Sequence, residues 1–310
     1  MSTTVGSVRL ANPVLTASGT AGHGAELARY FDLSSLGAVV VKSLSAEPWA
    51  GNPSPRVAEV DAGMLNSVGL QNPGVAGWLE DELPPLLATG ARVVASIWGF
   101  TVEAYEKAAS ALAGAPPEVV AVEVNLSCPN IHGVARSGES RRDMFAHSPA
   151  LTAEALAATA GCGRPRWAKL SPNVTDLTEI AGAALEAGAE ALTLVNTVMG
   201  MAIDVETRRP RLGAGGGGLS GPAIRPVAVR AVYDVCTAFP DATVVGAGGI
   251  ATGEHAVELM LAGASAVEVG TATFADPRAP ARIARELERW CRRHNVGRVA
   301  DLVGKARADT

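Results

Sequence analysis

The segment Val119-Val120-Ala121-Val122-Glu123-Val124-Asn125-Leu126-Ser127-Cys128-Pro129-Asn130 joins a β-branched apolar run to a polar cluster. The run from Val119 to Val124 predicts a buried strand, and Pro129 ends it because proline has no backbone N–H to donate. The polar residues therefore lie at the carboxyl end of the strand, where α/β folds keep their chemistry. Cys128 lies on the turn before the proline, where its thiol can face a ligand. A buried cysteine more often serves as a small inert hydrophobe, so this residue needs support from the rest of the chain.

The composition is typical of helices packed on a parallel sheet. The chain has 310 residues, enough for two average domains or one large α/β barrel. Hydrophobic residues make up 48% and aromatic residues only 4%, which indicates a core of Ala, Val and Leu. The formal net charge of −5 argues against a nucleic-acid surface. We find neither an apolar run of bilayer length nor a signal peptide, and therefore expect no membrane segment.

The cysteines indicate reduced thiols and no metal centre. Cys128, Cys162, Cys236 and Cys291 are widely separated and form no CxxC pair. Neither an iron–sulfur cluster nor a zinc site is therefore predicted. Reduced thiols favour a cytoplasmic location.

Short apolar runs alternate with Ala- and Leu-rich helical segments along the chain. We predict eight strands, at Pro13–Ala17, Ala38–Lys42, Arg92–Ile97, Val119–Asn125, Arg166–Leu170, Ala191–Val195, Thr243–Gly246 and Ala266–Gly270. We predict helices at Pro73–Thr89, Val102–Leu112, from Pro149 onward, and at Leu177–Glu186, Pro222–Ala238, Gly253–Leu261 and Pro280–His294. Eight alternations favour an α/β fold of the (β/α)8 TIM-barrel type over an open doubly wound sheet. No linker divides the chain, so residues 1–310 are expected to form a single domain.

Two segments after strands are longer than ordinary loops, which indicates long βα loops over the carboxyl face of the barrel. They are Ser43–Asn72 and Asn196–Gly221. The second contains Gly215-Gly216-Gly217-Gly218, which lacks the Lys-Ser/Thr of a P-loop. We expect this glycine run to be a flexible loop.

The predicted strand ends deliver polar and small residues to one face of the barrel. In chain order they are Ser18-Gly19, Lys42-Ser43, Ser96, Asn125 with Cys128, Lys169, Asn196-Thr197, Gly248-Gly249 and Gly270-Thr271. Active sites of barrels lie on that face, and the last two glycine turns match the usual phosphate position. Lys169 would be costly to bury without an anionic partner, either a reduced flavin or a local carboxylate. Asn66, Asn125 and Asn196 each offer a donor and an acceptor, as a cyclic imide requires.

Several of these motifs resemble those of the class 1 dihydroorotate dehydrogenases. They are Lys42-Ser43, Gly51–Arg56, Asn66–Gly74, Asn125–Asn130, Lys169–Asn173, Asn196–Gly200, Leu219–Ile224 and Val269–Ala272. The similarity runs in consistent order from about Pro13 to Pro277. Leu70–Gly74 and Asn196–Gly200 favour the NAD-linked subtype (type B) over the fumarate-linked one.

The resemblance implies an FMN barrel that oxidises (S)-dihydroorotate to orotate in de novo pyrimidine biosynthesis. Cys128 would take the proton from C5 of the substrate while flavin N5 takes the hydride from C6. By the same resemblance the substrate is held by Lys42, Asn66, Ser67, Val68, Gly69, Leu70, Asn125, Asn196 and Thr197. FMN is held by Ser18, Lys42, Ser43, Ser96, Asn125, Lys169, Val195, Gly221, Gly248, Gly249, Gly270 and Thr271.

The third strand end departs from the family pattern, which has Asn and then a small residue before Gly. This chain has Ser96-Ile97-Trp98-Gly99. Ser96 is too short to replace the two contacts of an asparagine, and Trp98 is bulky. Either a water bridges the gap or the flavin edge is packed differently.

The resemblance also implies which subunits this chain assembles with. In the NAD-linked subtype, electrons leave through a separate iron–sulfur flavoprotein subunit. We therefore expect a homodimer, or a heterotetramer with such a subunit. The lack of Cys clusters and of a dinucleotide-binding fingerprint in this chain fits that division of labour.

Two other functions stay open. One is an FMN barrel that acts on another dihydropyrimidine or on dihydrouridine, although a tRNA-acting enzyme would need a basic face. The other is a non-catalytic homologue that binds flavin or a pyrimidine, which only the Ser96 and Trp98 departure favours.

Overall fold

Eight parallel strands close into a barrel in the computed structural model of the chain, which describes residues 1–127, 133–134, 140–141 and 144–307. Within these ranges the strands are β1 (Thr3–Val5), β2 (Val8–Leu10), β3 (Val14–Thr16), β4 (Val39–Val40), β5 (Val57–Val60), β6 (Gly63–Asn66), β7 (Val93–Ile97), β8 (Val119–Asn125), β9 (Gly133–Val134), β10 (Ser140–Arg141), β11 (Arg166–Lys169), β12 (Ala191–Leu194), β13 (Val198–Gly200), β14 (Ile203–Asp204), β15 (Arg209–Pro210), β16 (Gly217–Ser220), β17 (Val244–Ala247) and β18 (Ala266–Val269). The α-helices are α1 (Gly74–Gly77), α2 (Leu83–Leu87), α3 (Val102–Ala111), α4 (Pro149–Ala158), α5 (Leu177–Glu186), α6 (Arg225–Ala238), α7 (Gly253–Ala262), α8 (Ala272–Ala275) and α9 (Ala279–Arg293).

The barrel strands pair in the order β3, β18, β17, β12, β11, β8, β7 and β4. A parallel bridge between Leu15 and Ala38 joins β3 to β4 and closes the cylinder. The predicted (β/α)8 barrel and its eight strands are confirmed. The second strand is shorter than predicted, because Val39–Val40 alone carries the regular ladder.

Several helices begin with side-chain caps. The side chains of Ser148, Asp176 and Thr252 accept hydrogen bonds from backbone N–H groups in the first turns of α4, α5 and α7. The predicted helix Pro73–Thr89 is divided into α1, a π-helical turn at Trp78–Glu82, and α2. Pro84 and Pro85 explain the division because they cannot donate the helical hydrogen bonds at their positions. Over the described ranges, no helix is both long and apolar enough to cross a membrane.

The half of the barrel at the amino-terminal ends of its strands is filled with apolar side chains. The hairpin of β1 and β2 packs Val5, Val8 and Leu10 against inward-facing residues of the barrel strands. Trp167 is fully buried in this same cluster. In the described residues, the amino-terminal end of the barrel is therefore filled, and the cavity lies at the carboxyl ends of the strands, as in other parallel barrels.

The two long segments form an ordered antiparallel sheet over the barrel. Its strands pair in the order β13, β16, β6 and β5. The prediction of a flexible glycine loop is wrong for Gly217 and Gly218, which lie in β16 and are buried. A Cβ on Gly217 would lie 2.4 Å from the carbonyl oxygen of Asn66, and one on Gly218 would lie 2.0 Å from Thr197 Oγ1. These glycines are needed for close contact between strands and not for mobility.

We predict that Gly217→Ala lowers the free energy of unfolding by about 1–3 kcal/mol, because the added methyl group collides with backbone that cannot move freely. Gly114→Ala is the matched control, since a Cβ there meets no heavy atom within 4 Å. Denaturant unfolding of both variants measures the difference. Equal stability of the two variants would contradict the close approach of β16 and β6.

Candidate active site

A cavity lies at the mouth of the barrel, between the carboxyl ends of the strands and the four-stranded sheet. Most predicted site residues line it: Ser18, Lys42, Ser43, Asn66, Val68, Gly69, Leu70, Asn125, Lys169, Val195, Asn196, Thr197, Gly221, Gly248, Gly249, Gly270 and Thr271. These residues come from all parts of the chain, and the closed barrel brings them together.

Three predicted residues are not part of the described cavity wall. Cys128 lies outside the residues that the structure describes. Ser67 is buried, and its hydroxyl accepts a hydrogen bond from Asn52 at 2.9 Å. Ser96 is also fully buried and does not line the cavity. In the described structure Ser67 and Ser96 thus lie behind the cavity wall, and their contacts with a ligand stay predictions.

Ser96 supports the wall through a chain of hydroxyl groups. Its Oγ lies 2.9 Å from Ser43 Oγ and donates to Glu123 Oε1 at 3.2 Å. Ser43 Oγ in turn lies 3.0 Å from Ser18 Oγ and accepts a hydrogen bond from Asn125 Nδ2 at 3.0 Å. The short side chain at position 96 thus connects the cavity wall to a buried carboxyl group.

Trp98 does not crowd the cavity. Its ring is buried and makes edge contacts with Trp49 and Phe100, with ring centroids 6.2 and 4.8 Å away. Such edge-to-face pairs are favourable because the positive edge of one ring meets the negative face of the other. The expected effect of Trp98 on a ligand edge is therefore not seen in the cavity lining.

Lys169 has local carboxyl partners at the floor of the cavity. Its Nζ donates to Glu268 Oε2 at 2.8 Å and lies 3.5 Å from Glu123 Oε1. Burial alone lowers the pKa of Lys169, but the attraction of Glu123 and Glu268 outweighs burial and raises the pKa above its usual value. Burial and repulsion from Glu123 raise the pKa of Glu268 well above the usual value, against the attraction of Lys169.

The two glutamates were missed in the sequence analysis. Both interrupt otherwise apolar strands, in Val122-Glu123-Val124 and Val267-Glu268-Val269. Alternate residues of a strand face opposite sides, so each carboxyl group faces the barrel interior between two outward valines. A charged residue inside a fully apolar strand was the available indication, because such residues are rarely buried without partners. The cavity wall also includes Met64, Ile224 and Phe274, which carried no such indication.

The three predicted asparagines line the cavity with their amides already oriented. Asn125 Oδ1 accepts hydrogen bonds from the backbone N–H and the hydroxyl of Ser127. Asn196 Nδ2 donates to Ser127 O and Oγ, both at 3.0 Å, while its Oδ1 accepts from Thr197 N. Asn66 Nδ2 donates to Gly218 O at 3.3 Å. The segment just before Cys128 is therefore fixed to the cavity wall by two asparagines.

Lys42 differs from Lys169 in having no salt bridge within the described part of the chain. It is half-buried, and burial together with the nearby Arg56 lowers its pKa. His23 lies close enough to Lys42 to be influenced by it, and burial with that charge lowers the pKa of His23 to about 4. Around neutral pH, His23 is uncharged and adds no second positive charge beside Lys42. An anionic ligand beside Lys42 would supply the missing partner.

The glycine turns after β17 and β18 form another part of the wall. Gly248 and Gly249 have φ angles of +126° and +71°, which other residues rarely adopt. A Cβ on Gly249 would lie 2.5 Å from Cβ of Arg225, at the start of α6. These constraints leave bare backbone at the cavity edge, which suits the close approach of an anion such as a phosphate.

Comparisons with known proteins give a consistent result. Residues 1–290 match the family described as dihydroorotate dehydrogenase. The chain is 50% identical to a putative dihydroorotate dehydrogenase A (fumarate) of Solibacter usitatus, over 98% of this chain and 97% of the relative. It is 47% identical to the catalytic subunit of dihydroorotate dehydrogenase B (NAD(+)) of Geobacter sp. strain M21, with the same coverage of each. The corresponding subunit of Desulforudis audaxviator is 49% identical over 97% of this chain and 96% of the relative.

Proposed function

The chain belongs to the dihydroorotate dehydrogenase family and is an oxidoreductase that acts on dihydroorotate, and we propose that it forms orotate with FMN bound in the cavity at the barrel mouth. We also propose that residues 1–310 make up one FMN-binding domain. The observation that carries the proposal is the cavity itself. It brings Lys42 and three asparagines, the floor lysine Lys169, and the glycine turns of β17 and β18 into one space.

The residues present fit a flavin mononucleotide. A Cβ on Gly19 would meet no heavy atom within 4 Å, so this part of the wall faces open space. The turns at Gly248-Gly249 and Gly270-Thr271 suit the phosphate. Lys169 has three N–H groups and two carboxyl partners, which leaves one N–H for a ligand acceptor. When bound, FMN supplies the acceptor for the hydride that leaves C6 of the substrate.

Lys42 and the asparagines suit the substrate. Dihydroorotate carries a carboxylate, and Lys42 is a half-buried cation without an ion pair in the described ranges. The amides of Asn66, Asn125 and Asn196 can match the alternating C=O and N–H groups of the pyrimidine ring. Their existing hydrogen bonds hold the amide planes in place before a ligand arrives, which reduces the entropy lost on binding.

We assign the proton transfer to Cys128. The preceding residue, Ser127, is held by Asn125 and Asn196, which themselves line the cavity. A thiolate at the next position would be able to reach the substrate from this wall and take the C5 proton, which the neighbouring ring carbonyl makes acidic. The free cysteines Cys162, Cys236 and Cys291 are buried away from the cavity and are not candidates for this role.

For the electron acceptor, we propose NAD through a partner subunit. The names of the Geobacter and Desulforudis relatives, which specify a catalytic subunit, support this choice. We propose a homodimer of this chain, or a heterotetramer with an iron–sulfur flavoprotein, in the cytoplasm, where buried thiols stay reduced. Fumarate is the second candidate acceptor, because the Solibacter relative is named as a fumarate enzyme.

We predict that Cys128→Ala keeps the yellow colour of bound FMN but loses bleaching by dihydroorotate under anaerobic conditions. The rate of bleaching falls by about 10²–10⁴-fold, because the general base is gone while the cofactor site is intact. Stopped-flow absorbance measures it. Cys291→Ala, which changes a buried thiol away from the cavity, is the control and bleaches at the wild-type rate. Wild-type bleaching in Cys128→Ala would remove Cys128 from the mechanism.

We predict that Lys42→Ala raises the dissociation constant of orotate by about 10–100-fold, the range expected for loss of a charge-assisted hydrogen bond. The dissociation constant of FMN changes much less, because the glycine turns and Lys169 are unchanged. Titration calorimetry with each ligand separates the two effects, and Lys107→Ala on the exposed face of α3 is the control. An equal loss of affinity for both ligands would place Lys42 outside the substrate site.

The acceptor is tested by reoxidation of the substrate-reduced protein. We expect fumarate, quinone and NAD to be slow acceptors for the chain alone. NAD becomes a fast acceptor only after the addition of an iron–sulfur flavoprotein subunit of the Geobacter type. Fast reoxidation by fumarate without a second subunit would instead favour the fumarate-linked type.

A further inference from the structure

Three charged side chains lie together at the floor of the cavity, where Lys169 and Glu268 line it and Glu123 does not. The side chains of Glu123 and Glu268 have no exposed surface, and that of Lys169 is 5% exposed. Lys169 Nζ is 2.8 Å from one carboxyl group and 3.5 Å from the other. If all three groups were ionised, the site would carry a net charge of −1 with little access to water. An uncompensated charge in such a place costs several kcal/mol.

The hydrogen bonds of the two carboxyl groups are incomplete. Glu123 Oε2 and Glu268 Oε1 are buried and have no hydrogen-bond partner in the described part of the chain. An ionised carboxylate can only accept hydrogen bonds, whereas a protonated carboxyl group also donates one. One proton on this pair removes the net charge and supplies a donor to a site that has an excess of acceptors.

We propose that Glu123 and Glu268 share one proton, so that together with Lys169 they form a neutral site that keeps the lysine positively charged toward the bound cofactor. Both glutamates are positioning residues in this arrangement, since they act through Lys169. The part that concerns the cofactor rests on the proposed FMN site, whereas the shared proton does not.

The surroundings of Glu268 support a shared proton. Burial is the main cause that raises the pKa of Glu268, and the neighbouring Glu123 acts in the same direction. The attraction of Lys169 opposes them and does not cancel them. Two carboxyl groups at close range titrate as a pair, with one proton held more tightly than the other.

The register partners of these three charged residues on β3, β17, β7 and β12 carry no competing charge. Leu15 and Ala247 are the register partners of Glu268 on β3 and β17, and both are apolar. Ser96 on β7 pairs with Glu123, and Thr193 on β12 pairs with Lys169, and neither is charged.

The remaining strand, β4, leads to Lys42. The charge that acts on this lysine is that of Arg56, and the adjacent His23 is influenced by Lys42 and Glu26. Lys42 is not among the groups that shift the pKa of Glu268. Glu123 and Lys169 are therefore the charged groups that act on Glu268.

The proposal predicts unequal effects of single and double substitution. Glu123→Gln or Glu268→Gln leaves one carboxylate opposite one ammonium, so the site stays neutral without the extra proton. The double variant leaves Lys169 without a counter-ion, and a buried lysine in that situation loses its proton near neutral pH. Two substitutions that each have a small effect are thus expected to have a large effect together.

Infrared spectroscopy of the full chain as purified tests the shared proton directly. At neutral pH the wild-type chain shows the C=O stretch of a protonated carboxylic acid, which differs from the carboxylate bands and shifts in D₂O. Glu123→Gln and Glu268→Gln each lose this band. Glu106→Gln, on the exposed face of α3, retains it. Absence of the band in the wild-type chain, or its survival in both single variants, would overturn the proposal.

The reduction potential of the bound flavin tests the role of the charge on Lys169. In the double variant the preference for reduced over oxidised flavin falls by about tenfold or more, which lowers the potential by about 30 mV for this two-electron couple. Each single variant stays within about threefold of the wild-type preference, and this comparison holds even if the double variant does not fold. A single variant with the full tenfold loss, or a folded double variant with the wild-type potential, would overturn the link to the cofactor. If no flavin binds, the proposed function fails, while the infrared result still decides the shared proton.

Discussion

The hydrogen bond of 2.8 Å between Lys169 and Glu268 crosses the interior of the barrel, from β11 to β18. It is placed at the boundary between two parts of the barrel with different chemistry. Below it lie apolar side chains such as Trp167 and Leu15, which form a continuous core. Above it lie the cavity and its polar wall. A barrel filled only with hydrocarbon would be more stable at this level, since buried ion pairs seldom stabilise more than apolar residues of the same volume. The charged level lines the cavity and is part of the proposed functional site.

The cavity depends equally on the sheet that covers it. Strands β5, β6, β13 and β16 come from two segments that are far apart in sequence, after the second and the sixth barrel strands. They meet closely only because Gly217 and Gly218 have no side chains. Asn66 and Thr197, which line the cavity, are the residues that these glycines contact most closely. The same contacts that order the sheet thus set the position of two predicted substrate-binding side chains.

Much of this arrangement could be predicted from the sequence, because it follows from local patterns. Runs such as Val119 to Val124 mark strands, and the residues that follow them must lie on one face of a parallel barrel. The meeting of Glu123, Lys169 and Glu268 could not be predicted in this way. It depends on the stagger of strands around the cylinder, which places residues from three separate strands at one height. The local sequence does not fix that stagger.

The structure differs from expectation at the glycine run and at Ser96, and both differences have the same origin. The run of four glycines was expected to be flexible because no local pattern shows that another strand passes within contact distance. Ser96 was expected at the mouth because it lies near the carboxyl end of a predicted strand, and its hydroxyl faces Ser43 and Glu123 inside the wall. In both cases the deciding neighbour is distant in sequence. The local chemistry of serine and glycine is compatible with either environment.

The N-terminal hairpin has a consequence for the order of events during turnover. Val5, Val8 and Leu10 plug the end of the cylinder opposite the cavity, and the apolar layer above them leaves no passage through the core. Within the described residues, reactant and product therefore both pass through the end of the barrel that carries the cavity. Under the proposed function, orotate leaves the cavity before the next dihydroorotate enters, and a direct electron acceptor that uses the same space binds only after orotate has left. For such an acceptor, this geometry favours alternating half-reactions, in which the substrate and the acceptor bind one after the other.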